Sequence, residues 1–286
     1  MHSVSIVGCG YTGLRLAQRW LRLRHSVQGF GTRDDSLRHI AGAGASPARM
    51  DLDHTERASL DVEGQLVYYL VPPAAAGEHD VRLERLLLRL FGMPRRVVYM
   101  STTGVYGNRH GGWVDEETRP APESARAVRR LAAENTLREW ADARGVSWCV
   151  LRVPGIYGPG RLPLERLRRA EPAIDPREAM PGNRIHVEDL VTACVAAGRS
   201  PQADCRVVNV TDGSDESLTA FLERVAHISQ LPPPPLISRS DAEAASSQAS
   251  WSFLRESRRV SNRRLLDELA VTLAYGDLDA GIRASL

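Results

Sequence analysis

Ser5-Ile6-Val7-Gly8-Cys9-Gly10-Tyr11-Thr12-Gly13 is the stretch whose reading decides the fold. Residues 4–7 predict a short buried strand. Gly8, Gly10 and Gly13 complete a G-x-G-x-x-G pattern, and residues 14–23 carry apolar side chains at helical spacing. Strand, glycine turn and helix together are the context that gives this pattern physical meaning. Gly8 serves the tight turn, Gly10 lets a pyrophosphate approach the backbone, and Gly13 lets the helix pack close to the strand. The helix start at Tyr11 and Thr12 offers free N–H groups and a partial positive charge to phosphates. The stretch predicts a dinucleotide cradle; a glycine-rich turn without a ligand is the bland alternative.

Working outward, residues 26–31 read as a second strand that ends at Thr32-Arg33. About 20 residues beyond the glycines, NAD-binding folds place a carboxylate on the ribose 2′-hydroxyl. Here a hydroxyl and a guanidinium occupy that place, which suits a 2′-phosphate. Asp34 and Asp35 follow directly, so NADP is the preferred reading and NAD stays open. Residues 37–41 predict a short helix, and residues 43–48 lead into a third strand. At its end, Asp51 has two readings: a contact to the adenine amino group, with Leu52 packing on the ring, or a cap on the following turn.

Residues 65–71 form an unbroken apolar run, the mark of a strand buried on both faces. Pro72 stops it, and Val71 and Pro72 join the candidate cofactor contacts because ligands sit beyond strand carboxyl ends. Residues 82–91 read as an amphipathic helix and 95–101 as a fifth strand. This alternation predicts an α/β, doubly wound, parallel sheet. In the last third, residues 190–197, 218–228 and 265–269 read as helices, and 206–210 as a strand. The proline run at 231–236 reads as extended chain, and 238–250 as a mobile or weakly helical arm.

Composition sets outer limits. The chain has 286 residues, 43% hydrophobic and 25% charged, enough for a core plus a smaller lobe. Its net charge of +2 gives no reason to expect nucleic acid or an anionic membrane as a partner. No apolar run approaches the ~20 residues of a membrane span, and a strand opening the chain leaves no room for a signal peptide. Cys9, Cys149, Cys194 and Cys205 are scattered, which reads as reduced thiols, a cytoplasmic setting and no metal site. All 37 basic side chains are arginine, so no step that needs a lysine ammonium is open to this chain.

Five further motifs carry a resemblance. Ser101-Thr102-Thr103-Gly104-Val105-Tyr106-Gly107 resembles the S-[ST]-x-x-V-Y-G segment of extended short-chain dehydrogenases/reductases, the nucleotide-sugar epimerases, dehydratases and their relatives. Val114-Asp115-Glu116-Glu117-Thr118-Arg119-Pro120, Leu151-Arg152-Val153-Pro154-Gly155-Ile156-Tyr157-Gly158-Pro159-Gly160, Arg184-Ile185-His186-Val187-Glu188-Asp189-Leu190 and residues 257–269 resemble later segments of the same family, in the same order. The resemblance implies a Rossmann-type sheet over residues 1–157 and 184–212, with a small C-terminal substrate lobe from 158–183 and 213–286. It implies a Ser/Thr hydroxyl at Thr102 that orients substrate, a main-chain contact near Pro154 to the nicotinamide, and a substrate-facing stretch bracketed by Arg161 and Arg184. It also implies a homodimer through residues 82–91 and 123–143.

One departure limits what carries over. The family's catalytic pair is Tyr-x-x-x-Lys, usually followed by Ala-Glu. Anchored on Ala133-Glu134, the tyrosine position holds Arg126 and the lysine position Arg130. An arginine with pKa above ~12 does not shuttle protons near neutrality, although Arg130 can still hold a ribose hydroxyl or phosphate. The chain thus resembles an atypical branch. Tyr106 and Tyr157 are the candidate replacement donors, with packing as the competing role. His186 reads as a strand-to-helix junction that doubles as a possible titrator. Two functions follow: an NAD(P)-dependent oxidoreductase or epimerase/dehydratase-like enzyme acting on a carbonyl compound or nucleotide sugar, or a non-catalytic nicotinamide-nucleotide sensor. A flavin in the same groove is a minor third reading.

Overall fold

The computed structural model describes residues 3–54, 59–247, 251–252 and 254–286. Seven strands form its central sheet: β1 (Ser3–Val7), β2 (Ser26–Gly31), β3 (Ser46–Arg49), β4 (Leu66–Tyr69), β5 (Arg96–Thr102), β6 (Ser147–Val153) and β7 (Arg206–Asn209). Their spatial order is β7-β6-β5-β4-β1-β2-β3, and every neighbouring pair is parallel. This is the doubly wound Rossmann arrangement. The chain leaves β1 toward β2 and β3, then returns to β1's other side with β4. The two directions part at β1, so the crevice lies beyond the carboxyl ends of β1 and β4.

Alternation along the strands builds both faces. Ile6, Tyr68 and Val98 pack with Leu16 and Trp20 of helix α1 (Tyr11–Arg22) and with Leu190 of the helix at Val187–Arg199. Val7, Val67, Val97 and Tyr99 face Leu83 and Leu86 of helix α3 (Val81–Arg89) and Leu137 of helix α4 (Ala125–Asp142) on the other side. The intervening helices α2 (Asp34–Gly42), α5 (Leu164–Arg168) and α6 (Val187–Arg199) follow in chain order. A third buried cluster, including Tyr157, Phe221, Leu222 and Ile282, joins helices α7 (Leu218–Ile228) and α9 (Leu278–Arg283) apart from the sheet. Leu265, Leu269 and Val271 instead pack back on the sheet side.

Several boundaries differ from the periodicity reading. Helix α2 starts three residues earlier, at Asp34, where two acids occupy the first turn. Helix α3 ends at Arg89, because Leu90–Phe91 pairs with Leu60–Asp61. Residues 264–268 form one π-type turn rather than an α-helix. The Ser/Ala-rich arm carries helix α8 (Arg239–Ala245), while residues 248–250 lie outside the described residues. The proline run is extended and ends in Leu236–Ile237, which pairs with Ala173–Ile174. Among the described residues no helix is long and apolar enough to cross a membrane.

Candidate functional site

A cleft of about 520 Å³ opens beyond β1 and β4. Gly8, Gly10, Tyr11, Thr12 and Gly13 form its floor, and Thr32, Asp51 and Leu52 line one end. Val71, Pro72 and Arg130 line the other side. The glycines divide by role. Gly8 sits at φ +89, and a Cβ there would stand 2.9 Å from the Val71 nitrogen. A Cβ on Gly13 would stand 2.9 Å from the Gly8 carbonyl oxygen. At Gly10 a Cβ would meet nothing within 4 Å. The first two glycines are demanded by the protein itself, whereas Gly10 faces open cleft. Gly10 is also the N-cap of α1 and contributes no side-chain cap. Its own N–H is taken by the Gly8 carbonyl at 2.8 Å, which leaves the N–H groups of the first helical turn for an outside acceptor. A dinucleotide's pyrophosphate fits this cradle.

Beyond β2, the acids that followed Arg33 are engaged by other arginines. Asp34 pairs with Arg49, and Asp35 with Arg38. Arg49 also donates to the Thr32 carbonyl at 2.6 Å. Arg33 is exposed at the next position, and its guanidinium has no hydrogen-bond or ion-pair partner among the described residues. Asp51 accepts from the Asp53 N–H at 2.8 Å, so its first oxygen caps the turn as the second reading had it, while the residue still lines the cleft. Asp53 is clamped by Arg82 at 2.7 and 2.6 Å, which holds its carboxyl below the usual range. Arg82 also donates to the Pro72 carbonyl at 2.9 Å and thereby ties α3 to the cleft wall.

The end of the cleft beside β5 differs more from expectation. Arg130 Nη1 donates to the Met100 carbonyl at 2.9 Å, the Tyr99 hydroxyl at 3.2 Å and the Val71 carbonyl at 3.3 Å. It staples α4 to the ends of β4 and β5 while one flank faces the cleft. Pro154 does not line the cleft; Ile156, two residues on, does. Tyr11 donates to the Pro159 carbonyl at 3.0 Å, and Arg161 lies over its ring at 3.9 Å, so Arg161 belongs to the cleft mouth. Arg184 does not join it. That side chain is buried, donates to the Glu216 and Ser217 carbonyls and to Ser214, and covers the Phe221 ring. The expected arginine bracket is therefore absent.

The candidate donors are corrected in the same way. Tyr106 is fully buried, and its hydroxyl donates to Asn209 Oδ1 at 2.8 Å beneath the Arg152 guanidinium. Tyr157 is buried between His186 and Phe221. Neither faces the cleft. Thr102 is half-buried at the end of β5, where its hydroxyl accepts from the Gly104 N–H at 3.2 Å. His186 caps α6 through Nδ1 and meets Ser285 Oγ at 3.2 Å through Nε2, a junction role, and burial lowers its pKa to about 4. Cys9, Ser36, Met100 and Ile156 also line the cleft but carried no signal in the sequence beyond their neighbourhood.

Asp212 is buried, accepts from the Ser214 N–H at 2.9 Å and has one carboxyl oxygen without a partner among the described residues. Burial pushes its pKa up to about 7, against the opposing charge of Arg184. The folded chain thus keeps a proton that the unfolded chain releases from about pH 4 upward. Asp212 therefore makes stability fall as pH rises from about 4 to about 7, and its contribution levels off above that. Asp212→Asn removes that loss. Urea unfolding should show the variant gaining about 2–4 kcal/mol on the parent between pH 4 and pH 8. An equal difference at both pH values would refute the assignment.

Fold and cleft together define a dinucleotide-binding α/β protein. The model of the NAD dependent epimerase/dehydratase family matches residues 4–211, and the chain belongs to that family. Protein YeeZ of Escherichia coli (strain K12) is 24% identical over 246 residues, covering 82% of this chain and 86% of YeeZ. A functionally unknown conserved protein from Silicibacter pomeroyi DSS superposes with a TM-score of 0.85 at 29% identity, covering 99% of this chain and 98% of that one. UDP-glucuronic acid 4-epimerase from Bacillus cereus, in complex with NAD, shares the fold with a TM-score of 0.76 at 18% identity, covering 99% and 95% of the two chains.

Proposed function

We propose that this chain binds NADP in the glycine cleft and works as an oxidoreductase on a small carbonyl or hydroxyl compound. The observation that carries the reading is the uncapped start of α1 above Gly10, whose missing side chain serves no packing need of the protein. The NAD held by the Bacillus cereus epimerase supports a nicotinamide nucleotide in the same fold. Preference for the 2′-phosphate rests on Arg33, a cation without a partner among the described residues, next to two acids already engaged by Arg49 and Arg38. A bound nicotinamide supplies hydride exchange. Thr102 is the hydroxyl that orients substrate, and Arg130 braces the cleft wall.

Arg33→Ser tests this reading. Calorimetric titration should show NADP affinity falling about 10- to 30-fold, the value of one charge-assisted phosphate contact, with NAD affinity within about twofold. Equal losses for both nucleotides would place Arg33 outside the ribose site.

A sensor without turnover is the second reading, favoured by one observation: Arg130, at the family's lysine position, is committed to two main-chain carbonyls and a tyrosine. NADPH oxidation with a carbonyl panel separates the two. Turnover supports the enzyme; tight NADPH binding with none supports the sensor. Exposed Leu88 and Phe91 at the end of α3 support the homodimer.

A further inference from the structure

We propose that Arg85 and Arg89 of α3, neither of which lines the cleft, are positioning residues that set its selectivity for adenine by fixing the shape of residues 51–54. That selectivity rests on the nicotinamide-nucleotide reading above; the contacts themselves do not.

Residues 50–54 leave β3 without regular structure. The Met50 N–H still donates to the Gly31 carbonyl of β2 at 3.0 Å, but the pairing of β3 with β2 ends at Arg49. The carbonyls that follow need donors from elsewhere. Helix α3 supplies them. Arg85 Nη1 donates to the Leu52 carbonyl at 2.8 Å and to the Asp53 carbonyl at 2.7 Å. Arg89 donates to the Asp51 carbonyl at 3.1 Å through Nη1 and to the His54 carbonyl at 2.7 Å through Nη2. Two side chains of one helix thus hold four consecutive carbonyls.

The helix that carries these arginines is itself fixed. Arg82, Arg85 and Arg89 share one face through their i, i+3, i+7 spacing. Leu83, Leu86 and Leu87, buried beside them, lock α3 onto the sheet. Asp80 caps its start by accepting from the Arg82 and Leu83 N–H groups at 3.2 Å each. The position of residues 51–54 is therefore referred to the sheet through α3.

The chemistry that needs this precision is on the loop. Asp51 and Leu52 both line the cleft, and Leu52 is anchored in the core at 4% exposure. Asp51 Oδ1 is taken by the Asp53 N–H, while Oδ2 lies 3.7 Å from His54 Nε2 and has room for a donor. A carboxylate acceptor beside an apolar side chain suits adenine, whose amino group donates and whose ring packs. Arginine suits the task of holding them. Its planar fork lets Arg89 reach carbonyls three residues apart with two nitrogens, whereas an ammonium is a single point of charge.

The test compares NADP with 1,N6-etheno-NADP, whose bridged adenine has no amino hydrogens, by calorimetry on the full chain. The parent should prefer NADP by about tenfold or more, the value of a hydrogen bond to a charged acceptor. Joint Arg85→Met and Arg89→Met replacement should reduce that preference to within about threefold. In the same variant without nucleotide, the amides of residues 51–54 should exchange hydrogen at least about tenfold faster. Joint Arg85→Lys and Arg89→Lys replacement keeps the charge, loses the fork and should lose the preference too. A merely structural role weakens both nucleotides equally and leaves the preference intact. A preference retained by the methionine pair, unchanged exchange, or a parent-like preference in the lysine pair would each overturn the proposal. If the methionine pair does not fold, Arg89→Lys alone should cut the preference at least threefold, and an unchanged preference would overturn the proposal. A parent that binds neither nucleotide would sink the cofactor reading along with this one, whereas a parent that binds both equally sinks this one alone.

Discussion

Gly10→Val is expected to fold like the parent and to lose at least ~100-fold in NADP affinity, about 2.8 kcal/mol. The backbone at Gly10 has a negative φ of −97, and a Cβ there meets no atom within 4 Å. The branched side chain instead enters the cleft where a pyrophosphate must approach α1. Its neighbours make the contrast. Valine at Gly8 or Gly13 forces contacts near 2.9 Å with the backbone, so those variants should be unstable before any ligand is added. Melting temperatures and NADP titrations on the three variants separate the roles. A Gly10→Val chain that binds NADP as the parent does would remove the pyrophosphate from this turn.

Glu134→Ala should cost about 3–5 kcal/mol of stability, a fall of roughly 10 °C in Tm. Glu134 is fully buried on α4 and takes Arg152 at 3.1 and 2.7 Å, plus the Ser101 hydroxyl at 2.5 Å. Arg152 is 2% exposed, so removing its partner leaves a buried guanidinium uncompensated. Paired replacement of Glu134 and Arg152 by methionine should recover most of the loss, because both desolvation costs disappear together. Calorimetric unfolding measures it. A single-variant loss below about 1 kcal/mol would mean that water reaches the pair.

What the sequence carries best is local. Residues 4–23 specify strand, turn and helix within one stretch, and their order fixes the crevice at β1 and β4. The Ala133-Glu134 anchor placed Arg126 and Arg130 on α4, and the structure puts Arg130 in the cleft wall. What the sequence does not carry is side-chain direction set by distant partners. Tyr106 turns inward because Asn209, 103 positions away, accepts its hydroxyl. Arg184 faces Phe221 and the α7 start rather than the cleft, through contacts that appear only once the lobe has folded. Asp34 and Asp35 obscured the ribose reading until Arg49 and Arg38 were seen to hold them.

A crystal structure of the chain grown with NADP is the most direct measurement. It should show the pyrophosphate against the Tyr11 and Thr12 N–H groups above Gly10, and the 2′-phosphate beside Thr32 and Arg33. Nucleotide bound anywhere else, or a pyrophosphate held away from the start of α1, would contradict the account.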